Sequence, residues 1–189
     1  MTKKELYQSL DYINATRRKR TEMANIVQSN TDLLEPLLEI AFDVDNPVSS
    51  KACWILEYVA KENLDYILPF IDIFTHKIDG LKLDSSVRPM AKICEFLTKT
   101  YFSKTKNKTK ETLTSNHLEL IATACFDWLI GEHKVAAKAY SMTSLLLLGQ
   151  KFEWIHPELK MVLQQNYSSG SAAYKARARM TLSKLNSLK

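Results

Sequence analysis

The chain has 189 residues, 46% of them hydrophobic and 25% charged, which is enough apolar matter to enclose a core and too much for a disordered segment. Four glycines and five prolines are too few for a many-turned β architecture and point to helices. The net charge of +5 permits an acidic partner such as nucleic acid or a membrane surface, without requiring one.

Apolar residues recur at helical spacing along the whole chain, and no stretch alternates cleanly with period two. The pattern predicts ten helices, near 4–15, 17–29, 32–43, 46–61, 64–78, 85–102, 116–130, 134–149, 157–166 and 172–187. The opening run Met1-Thr2-Lys3-Lys4-Glu5 has no apolar core behind it and does not read as a signal peptide. Thr31, Asn63, Asp84, Ser115 and Ser171 stand where a side-chain oxygen can take up a free helical N–H. Pro47 and Pro157 fit first-turn positions, where a missing N–H costs little. The polar, aperiodic run 103–110, with four lysines, is expected to be a flexible loop. The leucine-rich uncharged run Ala139 to Gln150 holds twelve residues, against the roughly 20 a membrane-spanning helix needs, and reads as a core helix. Cys53, Cys94 and Cys125 are widely spaced inside apolar stretches and read as buried thiols, so the expected compartment is the cytoplasm.

Internal repetition is the stronger signal. Four helices share a register of acidic or capping residue, apolar residue, alanine, and small or apolar residue. The sets are Asp45, Val48, Ala52, Ile55; Asp84, Val87, Ala91, Cys94; Glu132, Val135, Ala139, Met142; and Ser171, Tyr174, Ala178, Thr181. Counted from the apolar residue, positions 0, +4 and +7 share one helix stripe. Alanine at its centre lets a neighbouring helix approach closely, and the acidic group meets the positive end of the helix dipole. The preceding helices repeat as well. Leu33-Leu34-Glu35-Pro36-Leu37-Leu38-Glu39-Ile40 aligns with Tyr66-Ile67-Leu68-Pro69-Phe70-Ile71-Asp72-Ile73, which implies a shared bend at Pro36 and Pro69.

Paired helices with an internal proline in the first and Asp-x-x-Val-(Ser/Arg)-x-x-Ala in the second resemble HEAT repeats, most closely at Asp84-Ser85-Ser86-Val87-Arg88-Pro89-Met90-Ala91. The resemblance covers residues 31–187 well and the first 30 weakly. It implies an all-α, right-handed α-α superhelix of about five helix pairs, in one repeat domain over 1–189 with residues 1–30 as a degenerate first pair or cap. A narrower likeness runs through Arg17-Arg18-Lys19-Arg20, Arg88–Glu95, Lys134–Met142 and Trp154–Leu159. These segments resemble a family of short bacterial proteins whose members sometimes carry the name adenylosuccinate lyase. That lyase superfamily uses a Ser-Ser-x-Met-Pro-x-Lys-x-Asn loop, and no such run occurs in this sequence.

Candidate chemistry is sparse. His76, His117, His133 and His156 offer no pair three or four residues apart, so no helical metal site is expected. Glu57 and Glu95 occupy similar places in two helices and are expected to form ion pairs rather than an acid–base couple. Trp54, Trp128 and Trp154 are expected in the core or between repeats. Some HEAT-like proteins are alkylpurine DNA glycosylases that use tryptophans and an aspartate, but Asp127 beside Trp128 points about 100° away on a helix.

Basic residues stand out. Arg88 with Lys92, and Lys175 with Arg179, sit four apart on matching flanks, and Lys51, Lys138 and Arg177 share the opposite flank. With Arg17, Arg18 and Arg20 they form the expected binding surface, a discontinuous basic groove. The sequence therefore reads as a non-enzymatic interaction scaffold for a macromolecule, protein before nucleic acid, without cofactor, metal or membrane. The alternative is a nucleic-acid-binding protein, including a glycosylase-like base-repair enzyme.

Overall fold

A computed structural model describes residues 1–14 and 16–188, and among these every regular element is helical. In chain order the α-helices are α1 (Lys3–Asp11), α2 (Arg17–Ser29), α3 (Leu34–Ala41), α4 (Ser49–Glu62), α5 (Ile71–Lys77), α6 (Asp84–Tyr101), α7 (Lys108–Thr112), α8 (Ser115–Ile130), α9 (Val135–Leu148), α10 (Ile155–Gln165) and α11 (Ala172–Ser187). The ten expected helices are all present. The eleventh, α7, takes in the last three residues of the run 103–110 expected to be loop, while 103–107 form no helix, as expected. Asn107 explains it: its side-chain oxygen caps the Lys110 N–H, and its amide nitrogen binds the carbonyls of Thr100 and Thr105. Thr109 is buried, and Lys108 pairs with Asp65, so the lysine-rich run is partly tied down.

Pro36 and Pro69 mark breaks of a different kind from the bend expected. A 3₁₀ turn at Thr31–Leu33 precedes α3, which puts Pro36 in the first helical turn. Pro69 sits in a 3₁₀ turn at Leu68–Phe70 just ahead of α5. In both places a residue without an N–H stands where no helical partner is needed. Pro89 is the proline that lies inside a helix, α6. It cannot donate to the Ser85 carbonyl, and that carbonyl instead accepts the Trp54 Nε1–H of α4 at 2.8 Å. A broken intrahelical bond thus becomes a bond between neighbours.

The neighbour order defines two rows. In one, α2 packs on α4, α4 on α6, α6 on α9, and α9 on α11. In the other, α1 packs on α3, Phe42 after α3 meets Phe74 of α5 edge-on at 6.3 Å, and α5 packs on α8. Phe126 of α8 then stacks on Trp154, at the head of α10, at 5.6 Å. The rows meet through α3 on α4, α8 on α9, and α10 on both α9 and α11. One cluster of buried apolar side chains runs from Leu6 to Leu185 through both rows. The first 30 residues share it: Leu6 and Leu10 of α1 and Met23, Ala24 and Val27 of α2 are buried.

Small residues set the spacing of the α2–α4–α6–α9–α11 row. Ala52, Ala91 and Ala178 are fully buried, as their register requires. In α9 the register is displaced: Ala139 is half-exposed, and the buried stripe is Ala137, Ser141, Ser144 and Leu148, flanked by Met142 and Leu145. Helix α9 packs on α6, α8, α10 and α11. At its end Gly149 carries no Cβ because one would fall 1.9 Å from the His156 ring, whose Nε2 donates to the Leu146 carbonyl.

Ala91→Leu should therefore cost about 1–3 kcal/mol of stability by forcing α6 off its neighbour. Ala139→Leu, at the same repeat position but half-exposed, should change stability by less than about 0.5 kcal/mol. Urea midpoints of the two variants check this, and equal losses would contradict the displaced stripe in α9.

Candidate functional site

Each joint of the α2–α4–α6–α9–α11 row carries polar contacts as well as apolar ones. Between α2 and α4, the Arg20 guanidinium lies 4.4 Å from the centre of the Trp54 ring. Between α4 and α6, Arg88 grips Glu57 with two hydrogen bonds of 3.2 and 2.6 Å, and Ser50 bonds both Ser85 and Ser86 at 2.8 Å. Between α6 and α9, Lys92 sits 4.3 Å from the Tyr140 ring, and Thr98 reaches Ser144 at 3.4 Å. Between α9 and α11, Arg177 donates to the Thr143 hydroxyl, and Lys138 lies 6.0 Å from the Tyr174 ring. Cations resting on rings gain from the ring quadrupole while keeping part of their hydration.

Asp84 adds a contact that its own helix does not explain. It opens α6, yet its carboxylate accepts the Lys134 N–H at the head of α9, 3.1 Å away, and faces His133 Nδ1 at the same distance. Burial pushes its carboxyl up, but these hydrogen bonds and charges outweigh that and hold it below the usual range. The acidic residue at the head of α6 thus serves the head of α9. Ser171 caps its own helix, accepting from Tyr174, as expected.

Most of the predicted basic surface is engaged in these joints. Arg88, Lys92, Arg177, Lys138 and Arg20 are placed above, and Lys51 reaches back to the Asp11 carboxylate at 3.0 Å. Arg18 pairs with Glu22 along α2, and Arg17 is exposed. Arg179 touches the Tyr167 hydroxyl at 3.3 Å, while Lys175, four residues before it, is half-buried. The structure does not bring Arg88 and Lys92 together with Lys175 and Arg179, because the two flanks of α11 face different neighbours.

It does gather a different set around Glu95, whose side chain is 3% exposed. Lys92 Nζ lies 2.5 Å and Lys99 Nζ 2.9 Å from the carboxylate, and Arg177 Nη2 lies 3.9 Å away across from α11. Burial raises the Glu95 carboxyl, and the lysine hydrogen bonds and charges more than offset it, so the carboxyl lies below its ordinary value. Three cations face one carboxylate. Beside them Lys99, Thr143, Arg177 and Lys184, with Leu146 and Met180, line a recess of about 200 Å³. Lys99 and Lys184 were absent from the predicted surface. Their signals were available: Lys92 and Lys99 stand three residues before and four after Glu95 along α6, and Lys184 lies seven residues after Arg177 on one stripe.

The remaining candidates take structural roles. His117 is buried: its Nδ1 accepts the Thr114 N–H, which leaves Nε2–H to donate to Asp72 at 2.7 Å. Groups of three or more metal-ligating side chains do not occur among the described residues. Trp128 is buried as expected, and Trp54 bridges α4 and α6. Trp154 departs from the expectation, half of its surface being open to solvent beyond the Phe126 stack. Asp127 is exposed while Trp128 is buried, which is the divergence adjacent helical positions require. The cysteines are buried and unbridged; burial pushes the Cys53 thiol up to about 12 and also raises Cys94, which adjoins Cys125. No described helix is long and apolar enough to cross a membrane.

Comparison with models of known protein families, with curated proteins and with solved structures yields no match.

Glu95→Gln should lower stability at neutral pH by about 1–3 kcal/mol, a modest figure because the cations left behind reach solvent. Since the native carboxyl titrates below its unfolded value, its contribution is full above about pH 4.3 and is lost as pH falls through the lower native value. The gap between wild type and variant in urea unfolding should therefore close on acidification. A gap that is unchanged at about pH 2 would contradict the ion cluster.

Proposed function

We propose that this protein is a non-enzymatic scaffold of stacked HEAT-like helix pairs that binds an acidic segment of a partner protein. The two rows of neighbours, the shared core and the repeat-to-repeat cap at Asp84 support a linear stack, since along α2, α4, α6, α9 and α11 each helix packs on the next while α3, α8 and α10 pack across onto that row. The observation that carries the binding reading is the excess of cations over carboxylate around Glu95. The buried charge of Glu95 fixes Lys92, Lys99 and Arg177 in place while leaving a surplus of positive charge at the surface. Cations held in position lose less entropy on binding than free surface lysines do.

Nucleic acid is the second reading, favoured by the exposed Arg17–Arg18–Lys19 turn of α2. Base stacking finds less support, because Arg20 covers the Trp54 ring and Lys92 the Tyr140 ring.

Fluorescence anisotropy with a labelled glutamate-rich peptide and with duplex DNA, each at low and high salt, separates the two. The proposal expects saturable peptide binding that weakens several-fold in Lys99→Glu and in Lys184→Glu. Tighter binding to duplex DNA, with a salt dependence of several released counterions, would support the second reading instead. Absence of saturable peptide binding would overturn the first.

A further inference from the structure

The recess between α6, α9 and α11 has properties that a general acidic surface does not need. It is concave, and its cations come from two helices on either side of α9. Arg177 spends one of its guanidinium N–H groups on Thr143, and Lys99 one of its ammonium protons on Glu95. A guanidinium carries five N–H donors and an ammonium three, so both keep donors for a further acceptor. Lys184 is exposed and has no carboxylate within ion-pair distance among the described residues. With three cations on the single carboxylate of Glu95, two positive charges stay uncompensated before Lys184 is added.

We infer that this recess is a site for a phosphate monoester, a phosphorylated side chain on the acidic partner segment, held by Lys99, Arg177 and Lys184. The inference rests on the scaffold reading above and specifies which feature of the partner is recognised.

A monoester fits for three reasons. Its charge at neutral pH approaches −2, which matches the surplus better than one carboxylate does. Its three terminal oxygens accept charge-assisted hydrogen bonds from converging donors, and a guanidinium presents two of them in the right plane. A recess of about 200 Å³ takes a terminal group on a stem, whereas the phosphodiester backbone of a nucleic acid carries one charge per unit along an extended ridge. Glu95 acts here as the anchor. It fixes the cations from below, is itself buried, and repels an anion less than the three cations attract it.

The test uses the full chain labelled with nitrogen-15 and four probes at equal ionic strength: inorganic phosphate, a phosphoserine peptide, the same peptide with glutamate in place of phosphoserine, and duplex DNA. The expected result is a saturable shift of the Arg177 side-chain Nε–H and the Thr143 and Thr181 amides with phosphate and with the phosphopeptide. The glutamate peptide should bind about tenfold more weakly than the phosphopeptide. Lys184→Ala, which removes an exposed side chain and leaves the ion cluster intact, should weaken phosphopeptide binding about tenfold. Arg177→Ala should weaken it further, and Arg18→Ala should leave it unchanged.

Equal affinity for the glutamate peptide and the phosphopeptide would overturn the phosphate site while leaving the scaffold reading intact. Phosphate shifts no larger than those from chloride, or Lys184→Ala binding like wild type, would overturn it too. Duplex DNA binding tighter than the phosphopeptide would overturn both readings.

Discussion

The structure depends on how closely four helices can approach one another. Ala52 in α4, Ala91 in α6, Ala137 in α9 and Ala178 in α11 are fully buried and remove bulk where the neighbours cross. Serines and threonines extend the same stripes at Thr98, Ser141, Ser144 and Thr181, and Ser50 and Ser86 are buried elsewhere on α4 and α6. Such residues let backbones come near enough for side chains to reach across, and the polar joints of the row follow from that proximity. Without it, Trp54 could not serve the carbonyl that Pro89 leaves open, and Arg177 could not approach Glu95.

Charge is distributed in step with this packing. The carboxylates Glu57 and Glu95 are nearly enclosed, while the cations that pair with them reach outward. An enclosed carboxylate is costly unless it is satisfied, so each draws a cation into a defined position. Glu57 draws one arginine in a bidentate grip, which nearly balances the local charge. Glu95 draws three cations, and the imbalance appears on the surface. The two sites grow from similar places in α4 and α6 and differ in what the next helix supplies.

The repeat pattern disclosed the helices because it depends on local spacing, and the buried alanines of α4, α6 and α11 because they share one register. It failed at α9, where the buried stripe centres on Ala137 and Ser141 rather than Ala139, and at residues 108–112, where one asparagine organises a lysine-rich turn. The ion pairs were foreseeable in kind for Glu57 and Glu95, and spacing along α6 points to Lys92 and Lys99 as partners of Glu95, but not to the distant partners. Arg88 lies 31 residues from Glu57, and Arg177 belongs to the last helix, so helix spacing alone cannot join them. Asp84 shows the same limit: its position marks a helix start, and its carboxylate serves the start of another. The opposite flanks read for Arg177 and Arg179 do face different neighbours, but spacing along α11 cannot say that Arg177 reaches Thr143 of α9 while Arg179 reaches Tyr167.

If the stack is linear, each helix pair is held by the pairs on either side, and the ends are held from one side only. Native-state hydrogen exchange measured residue by residue reads this directly. The account predicts the strongest protection in α6 and α9, falling in steps towards α1 and α2 at one end and α11 at the other. Protection that is uniform across all the helices, or greatest at a terminus, would show that the helices form one bundle with a common core and would contradict it.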